Sequence, residues 1–132
     1  FLGDSGSMFL GFTISWFLIY FANISLEPIH PVLVLWVVSI PIFDLVSVIF
    51  RRIIRGINPF KPDRRHIHHI LIDHGISQKK SLFILIIIGL LDSFVGLSTY
   101  YFFNASYSLI VFIFFSVIYF ILTLRLSRMQ KL

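Results

Sequence analysis

Cysteine is absent from the 132 residues, which excludes a disulfide framework, a thiolate metal site and a cysteine nucleophile. Charge is scarce as well. Asp, Glu, Lys and Arg make up 13% of the chain, about half the share of an ordinary soluble domain. Acids are the rarer charged class, six against eleven basic residues. There is no initiator Met and no basic n-region ahead of an apolar run, so no signal peptide is read from the sequence. The opening FLGDSGS is what is expected of a piece of a longer chain whose N-terminal portion lies upstream.

Hydrocarbon takes the place of charge. Hydrophobic residues account for 58% of the chain, 16 of them Phe, and the mean hydropathy is +0.93. Four apolar stretches, about 8–24, 31–50, 81–103 and 106–124, approach or exceed the roughly 20 helical residues that cross a bilayer core of about 30 Å. None sustains the period-2 alternation of a transmembrane β-barrel. The expected fold is therefore all-α. It is a polytopic integral membrane protein with about four transmembrane helices in residues 1–132 and a polar loop at 51–80.

The basic residues are distributed unevenly. Arg51, Arg52, Arg55, Lys61, Arg64, Arg65, Lys79 and Lys80 fall between the second and third stretches, and Arg125, Arg128 and Lys131 follow the fourth. If each stretch crosses, all eleven lie on one side, while the opposite loops carry Glu27 and His30. The positive-inside rule puts GDSGS, the 51–80 loop and residues 125–132 on the cytoplasmic side. The same asymmetry accounts for the net charge of +5 without a nucleic-acid partner.

Three polar features exceed what topology requires. GDSGS at 3–7 presents Asp4 between glycines, read as a tight turn at the membrane edge. Its serines suit a helix cap, and its carboxylate suits a hard cation such as Mg²⁺ held jointly with substrate phosphates. Asp44 lies inside the second stretch, roughly 10 Å along a helix from Arg51 at 1.5 Å per residue. At 100° per residue, Arg51 and Arg55 return to within about 20° of its azimuth. An intramembrane acid marks either a functional cleft or a buried pair, and for Asp44 both a cleft residue and a structural partner of an arginine stay open. Asp92, in the third stretch, is more isolated.

The third feature is PDRRHIHH at 62–69, read as a structured loop after Pro59 and Pro62 break the preceding helix. Arg64 and Arg65 can grip phosphate bidentately. His66, His68 and His69 can serve as ligands, phosphate donors or acid–base groups. Their spacing is not a standard zinc pattern. An interfacial loop that only meets anionic headgroups is the competing reading. From these residues alone, a transporter subunit or a lipid-binding scaffold also fits.

Taken together and in order, FLGDSGS, PIFDLVSVIFRRIIRG and NPFKPDRRHIHHILIDHGIS resemble the polyprenyl-phosphate N-acetylhexosamine-1-phosphate transferases over residues 1 to about 80. HIHH after PDRR is characteristic of one branch, where the related phospho-muramoyl-pentapeptide translocase carries three consecutive histidines. The resemblance implies a multi-pass enzyme of the bacterial cytoplasmic membrane with its active-site loops in the cytoplasm. It would transfer N-acetylglucosamine 1-phosphate from UDP-GlcNAc to undecaprenyl phosphate and release UMP. Such products start lipid-linked surface polymers of O-antigen, common-antigen or teichoic-acid type.

Carried over by position, the resemblance makes Asp4 a ligand of Mg²⁺ (or Mn²⁺) and, with His66, a catalytic candidate. Arg52, Arg64, Arg65, His66, His68 and His69 become substrate-binding candidates, with Asp44 as a structural or cleft acid. Membrane lipid is the surrounding partner, nucleic acid is not one, and a homodimer is compatible with the sequence. The family's DDxxD-type motif and its Asn/Asp-rich motif do not occur in these residues. The 132 residues alone are therefore expected to be inactive.

Overall fold

A computed structural model describes residues 3–23, 29–54, 56, 58 and 66–129, with the backbone alone for 3–5, 7 and 127–129. The described residues form six helices and no strand: α1 (Gly3–Asn23), α2 (Pro31–Val37), α3 (Ser39–Ile54), α4 (Ile67–Asp73), α5 (Gln78–Phe102) and α6 (Ala105–Met129). Two of them, Gln78–Phe102 and Ala105–Leu126, are long and apolar enough to cross a membrane. The pair α2–α3 makes a third span if counted as one, and Met8–Asn23 is a shorter apolar helix.

Three local differences from the sequence-based expectation have physical causes. The GDSGS backbone is helical rather than a turn, because α1 begins at Gly3. The second stretch is two helices bent by 78° at Val38. Pro41 explains the break: it has no N–H to give Val37, four residues earlier, and its ring would collide with that carbonyl in a straight helix. The carbonyl of Trp36, beside the break, accepts from Ser93 Oγ at 3.3 Å. The third difference is α4, a short helix within the expected loop. It ends in a Schellman motif, with Gly75 N–H bonded to Ile72 O at 2.9 Å and Ile76 N–H to Leu71 O at 3.1 Å. Gly75 sits at φ +85°, a conformation that glycine adopts without a Cβ penalty.

α3 is built inside-out relative to a helix in water. Its buried stripe is Ser39, Phe43, Asp44, Ser47, Val48, Arg51 and Arg52, while Leu45, Phe50, Ile53 and Ile54 are exposed. Polar residues inward and apolar residues outward suit a lipid surround, where association rests on close packing and interhelical hydrogen bonds. The bonds join the helices like rungs. Trp36 Nε1 donates to Ser108 Oγ at 3.0 Å, Ser39 Oγ donates to Asp92 at 3.1 Å, and Ser47 and Thr123 share one of 2.6 Å. Their order runs α3 alongside α6 in the same direction and against α5. The C-terminal ends of α3 and α6 and the N-terminal end of α5 therefore share one end of the bundle, with Arg51, Arg52, Lys79, Lys80 and Arg125. α4 packs against α5 and α6 there.

The apolar core is Val32, Trp36, Phe43 and Phe112. Trp36 meets the rings of Phe112 and Phe115 edge-on at 5.2 and 5.7 Å. It reaches that position because Gly96 has no side chain: a Cβ there would fall inside the indole. Gly96→Ala should therefore overpack the α2–α5 contact and cost about 1–3 kcal/mol. A lower thermal unfolding midpoint in detergent, with Gly11→Ala (where a Cβ meets nothing within 4 Å) as the control, checks this.

Candidate functional site

The site is assembled at the basic end of the bundle around Asp44. Its side chain is only 12% exposed, and a carboxylate buried among helices must be satisfied by donors. Oδ2 lies 2.7 Å from His66 Nδ1. Oδ1 accepts from the Ile67 backbone N–H at 3.1 Å and, in a longer contact of 3.4 Å, from the Tyr119 hydroxyl. The Ile67 bond matters locally because His66, the N-cap of α4, makes no side-chain cap of its own. Asp44 thus caps α4 from a different helix, while Ile67 and Ile70 bury that helix's apolar side. The contacts of Asp44 seen here are with a histidine, a main-chain amide and a tyrosine.

The histidines follow from α4's first turn. His66 and His68 have nearly parallel rings, 6.0 Å apart with 6° between planes, and His68 and His69 are 4.1 Å apart. His68 and His69 are exposed, and the His66 side chain remains 43% exposed despite its bond to Asp44. Partial burial, then the neighbouring His69 and His66, hold His68 below the ordinary imidazole range, against an opposing pull from Asp44. His68 also borders a cleft of about 310 Å³ whose walls include Ile72, Ser81, Leu82 and Leu85.

The other candidates are distributed as follows. Arg52 is buried at the end of α3, and its Nη1 donates to Asn58 O at 3.3 Å. Asp4 has its backbone in the first turn of α1, and its side chain lies outside the described residues. Arg64 and Arg65 lie outside them altogether. Among the described residues, no three His, Cys, Asp or Glu side chains are grouped to hold a metal. Asp44 could not readily join such a group, because both its oxygens are committed and its neighbours offer nitrogen, a poor match for Mg²⁺. The described residues alone do not fit a magnesium site.

Sequence reasoning missed Tyr119. A hydroxyl-bearing aromatic inside an apolar span was its only signal, and several tyrosines share that description. Arranged this way, the site offers three clustered imidazoles, one of them oriented by a carboxylate, at the rim of an apolar cleft. Such a set can bind an anion and exchange protons with it.

The chain is 36% identical to an Escherichia coli K12 protein over 101 residues, 76% of this chain and 28% of the relative. It is 35% identical to proteins of Haemophilus influenzae over 97 residues and Yersinia pestis over 96, covering 74% and 73% of this chain. All three are named undecaprenyl-phosphate alpha-N-acetylglucosaminyl 1-phosphate transferase. The chain spans about a quarter of the length of these curated relatives (26–28%). No protein-family model and no solved structure matches it.

Crowding of the imidazoles has a measurable consequence. On acidification His68 should stay neutral to lower pH than a free imidazole. Replacing His69 with Gln removes the largest charged contribution holding it down, so His68 should then protonate at higher pH. A side-chain NMR titration that moved the other way would contradict the geometry.

Proposed function

We propose, for a chain homologous to the bacterial undecaprenyl-phosphate alpha-N-acetylglucosaminyl 1-phosphate transferases, that it supplies the histidine-bearing face of an enzyme of that activity. The full protein would take N-acetylglucosamine 1-phosphate from UDP-GlcNAc to undecaprenyl phosphate. An oxygen of the lipid phosphate attacks the sugar-bearing phosphorus. The bond from that phosphorus to the bridging oxygen breaks, and UMP leaves with the electron pair. The new lipid-linked sugar diphosphate starts a surface polymer of O-antigen, common-antigen or teichoic-acid type.

The observation that supports this best is the cluster of His66, His68 and His69 at the start of α4, with His66 oriented by Asp44, at the bundle end where basic residues collect. Phosphoryl transfer depends on positioning and on neutralising charge spread over phosphate oxygens. His66, His68 and His69, with Arg52, Arg64 and Arg65, are assigned to the diphosphate of the sugar nucleotide. The cleft beside His68, with Ile72, Leu82 and Leu85 in its walls, is assigned to the first units of the polyprenyl chain, whose phosphate would stay at the water–lipid boundary. Mg²⁺, or Mn²⁺ in its place, enters the proposal through Asp4 and would supply charge neutralisation when bound. The setting is the bacterial cytoplasmic membrane, with α4 on the cytoplasmic side and dimerisation compatible with it. Without the further acidic motifs, the 132 residues alone should be inactive.

Membranes carrying the full-length protein should release UMP from UDP-GlcNAc only when undecaprenyl phosphate is present, and a chelator should abolish the reaction. Asp4→Asn and His66→Ala should each lower the rate by about a hundredfold or more. Wild-type rates in both variants would sink the assignment of the site.

A further inference from the structure

From the contacts at Asp44 we infer a positioning relay. Tyr119 and the Ile67 amide hold the Asp44 carboxylate, and the carboxylate fixes the proton position and ring azimuth of His66, leaving Nε2 as the atom that meets the phosphate of the substrate. The inference rests on the transferase reading for the identity of that substrate; the relay itself rests on geometry alone.

Three elements converge on one side chain. Asp44 comes from α3, His66 and Ile67 from the start of α4, and Tyr119 from α6. The two oxygens are used differently. Oδ1 takes the Ile67 amide at 3.1 Å and the Tyr119 hydroxyl at 3.4 Å, which together pin the rotamer of the carboxylate. Oδ2 is then left to His66 Nδ1 at 2.7 Å. Capping α4 needs only the bond to Ile67. The second oxygen is spent on an imidazole whose side chain is 43% exposed, so packing alone does not orient that ring.

A carboxylate can only accept hydrogen bonds. At 2.7 Å the hydrogen must therefore sit on Nδ1. In the neutral ring Nε2 then carries a lone pair, and in the protonated ring Nε2 carries a hydrogen balanced by Asp44. One state is excluded: a neutral ring donating from Nε2. A carboxylate behind a working histidine selects the tautomer and the orientation in this way. Nε2 lies across the ring from Asp44, on the side away from the buried carboxylate. Asp44 touches no substrate in this scheme and is a positioning residue, with Tyr119 acting through it.

Asp44→Asn separates positioning from folding. The Asn amide oxygen can keep the Ile67 N–H and the Tyr119 hydroxyl, which leaves its NH₂ facing His66. That donor needs a lone pair on Nδ1, so the neutral His66 ring must move its hydrogen to Nε2. In the full-length protein in detergent, ¹⁵N spectra of the imidazoles should show neutral His66 with hydrogen on Nδ1 in the wild type and on Nε2 in Asp44→Asn. The kcat for UMP release should fall roughly 10- to 100-fold, with a smaller change in KM for UDP-GlcNAc. Tyr119→Phe should keep the wild-type tautomer and lower kcat several-fold. Asp44→Glu should restore the Nδ1 hydrogen and part of the rate lost in Asp44→Asn.

The relay is overturned if wild-type His66 carries its neutral hydrogen on Nε2. An unchanged spectrum in Asp44→Asn, or wild-type kcat despite a switched tautomer, overturns it too. If Asp44→Asn fails to fold, the wild-type spectrum and Tyr119→Phe still decide. A wild-type protein that shows the Nδ1 hydrogen and its switch in Asp44→Asn but releases no UMP would sink the transferase reading and leave the relay standing.

Discussion

An acid placed among lipid-facing helices has to be answered by donors, and Asp44 draws its donors from two other elements. That requirement ties α4 and α6 to α3. A buried carboxylate deprived of its partners would be strongly unfavourable, so the contacts with His66, Ile67 and Tyr119 stand or fall together with the seating of α4. The exposed histidines lie on that short helix and inherit their positions from it. Lipid offers no hydrogen bond in compensation, and the dependence is therefore tighter than at a water-exposed surface.

The same logic extends along the bundle. Between Trp36 and Thr123 the helix contacts alternate large rings with small hydroxyls. Phe43 and Phe112 are 4.8 Å apart, and Trp36 lies against the bare backbone of Gly96. Ser39, Ser47, Ser108 and Thr123 are buried to within 1% exposure and link neighbouring helices. Small polar residues permit close approach and give direction to contacts that hydrophobicity cannot direct in a bilayer. The bend before Pro41 divides the labour: α2 lays its indole on α5, while α3 turns its polar stripe toward α5, α6 and the start of α4.

Much of this was legible in the sequence and some was not, for identifiable reasons. Long apolar runs revealed α5 and α6, because hydropathy depends on composition rather than on partners. The break at Val38 was legible in principle from Pro41, whose effect was outweighed by the uniform apolar character around it. GDSGS read as a turn because its glycines permit one. A backbone near lipid gains more by closing its hydrogen bonds in a helix. Residues 67–73 fell within the expected loop, although Ile67 and Ile70, three residues apart, mark the buried side of α4. The partner of Asp44 was the hardest to see. Helical arithmetic compares a residue with neighbours on its own helix, here Arg51 and Arg55, whereas His66 is 22 residues away and Tyr119 is 75.

The two oxygens of Asp44 also impose different rules of inheritance on adjacent positions. The bond to Ile67 is made with main chain, so the site asks of residue 67 only that it have an N–H and fit a buried apolar slot. The bond to residue 66 is made with a side chain, which must bring a nitrogen to a fixed point and still present another to the outside. Position 67 therefore tolerates apolar residues of similar volume, while the proposed relay asks for a histidine at position 66.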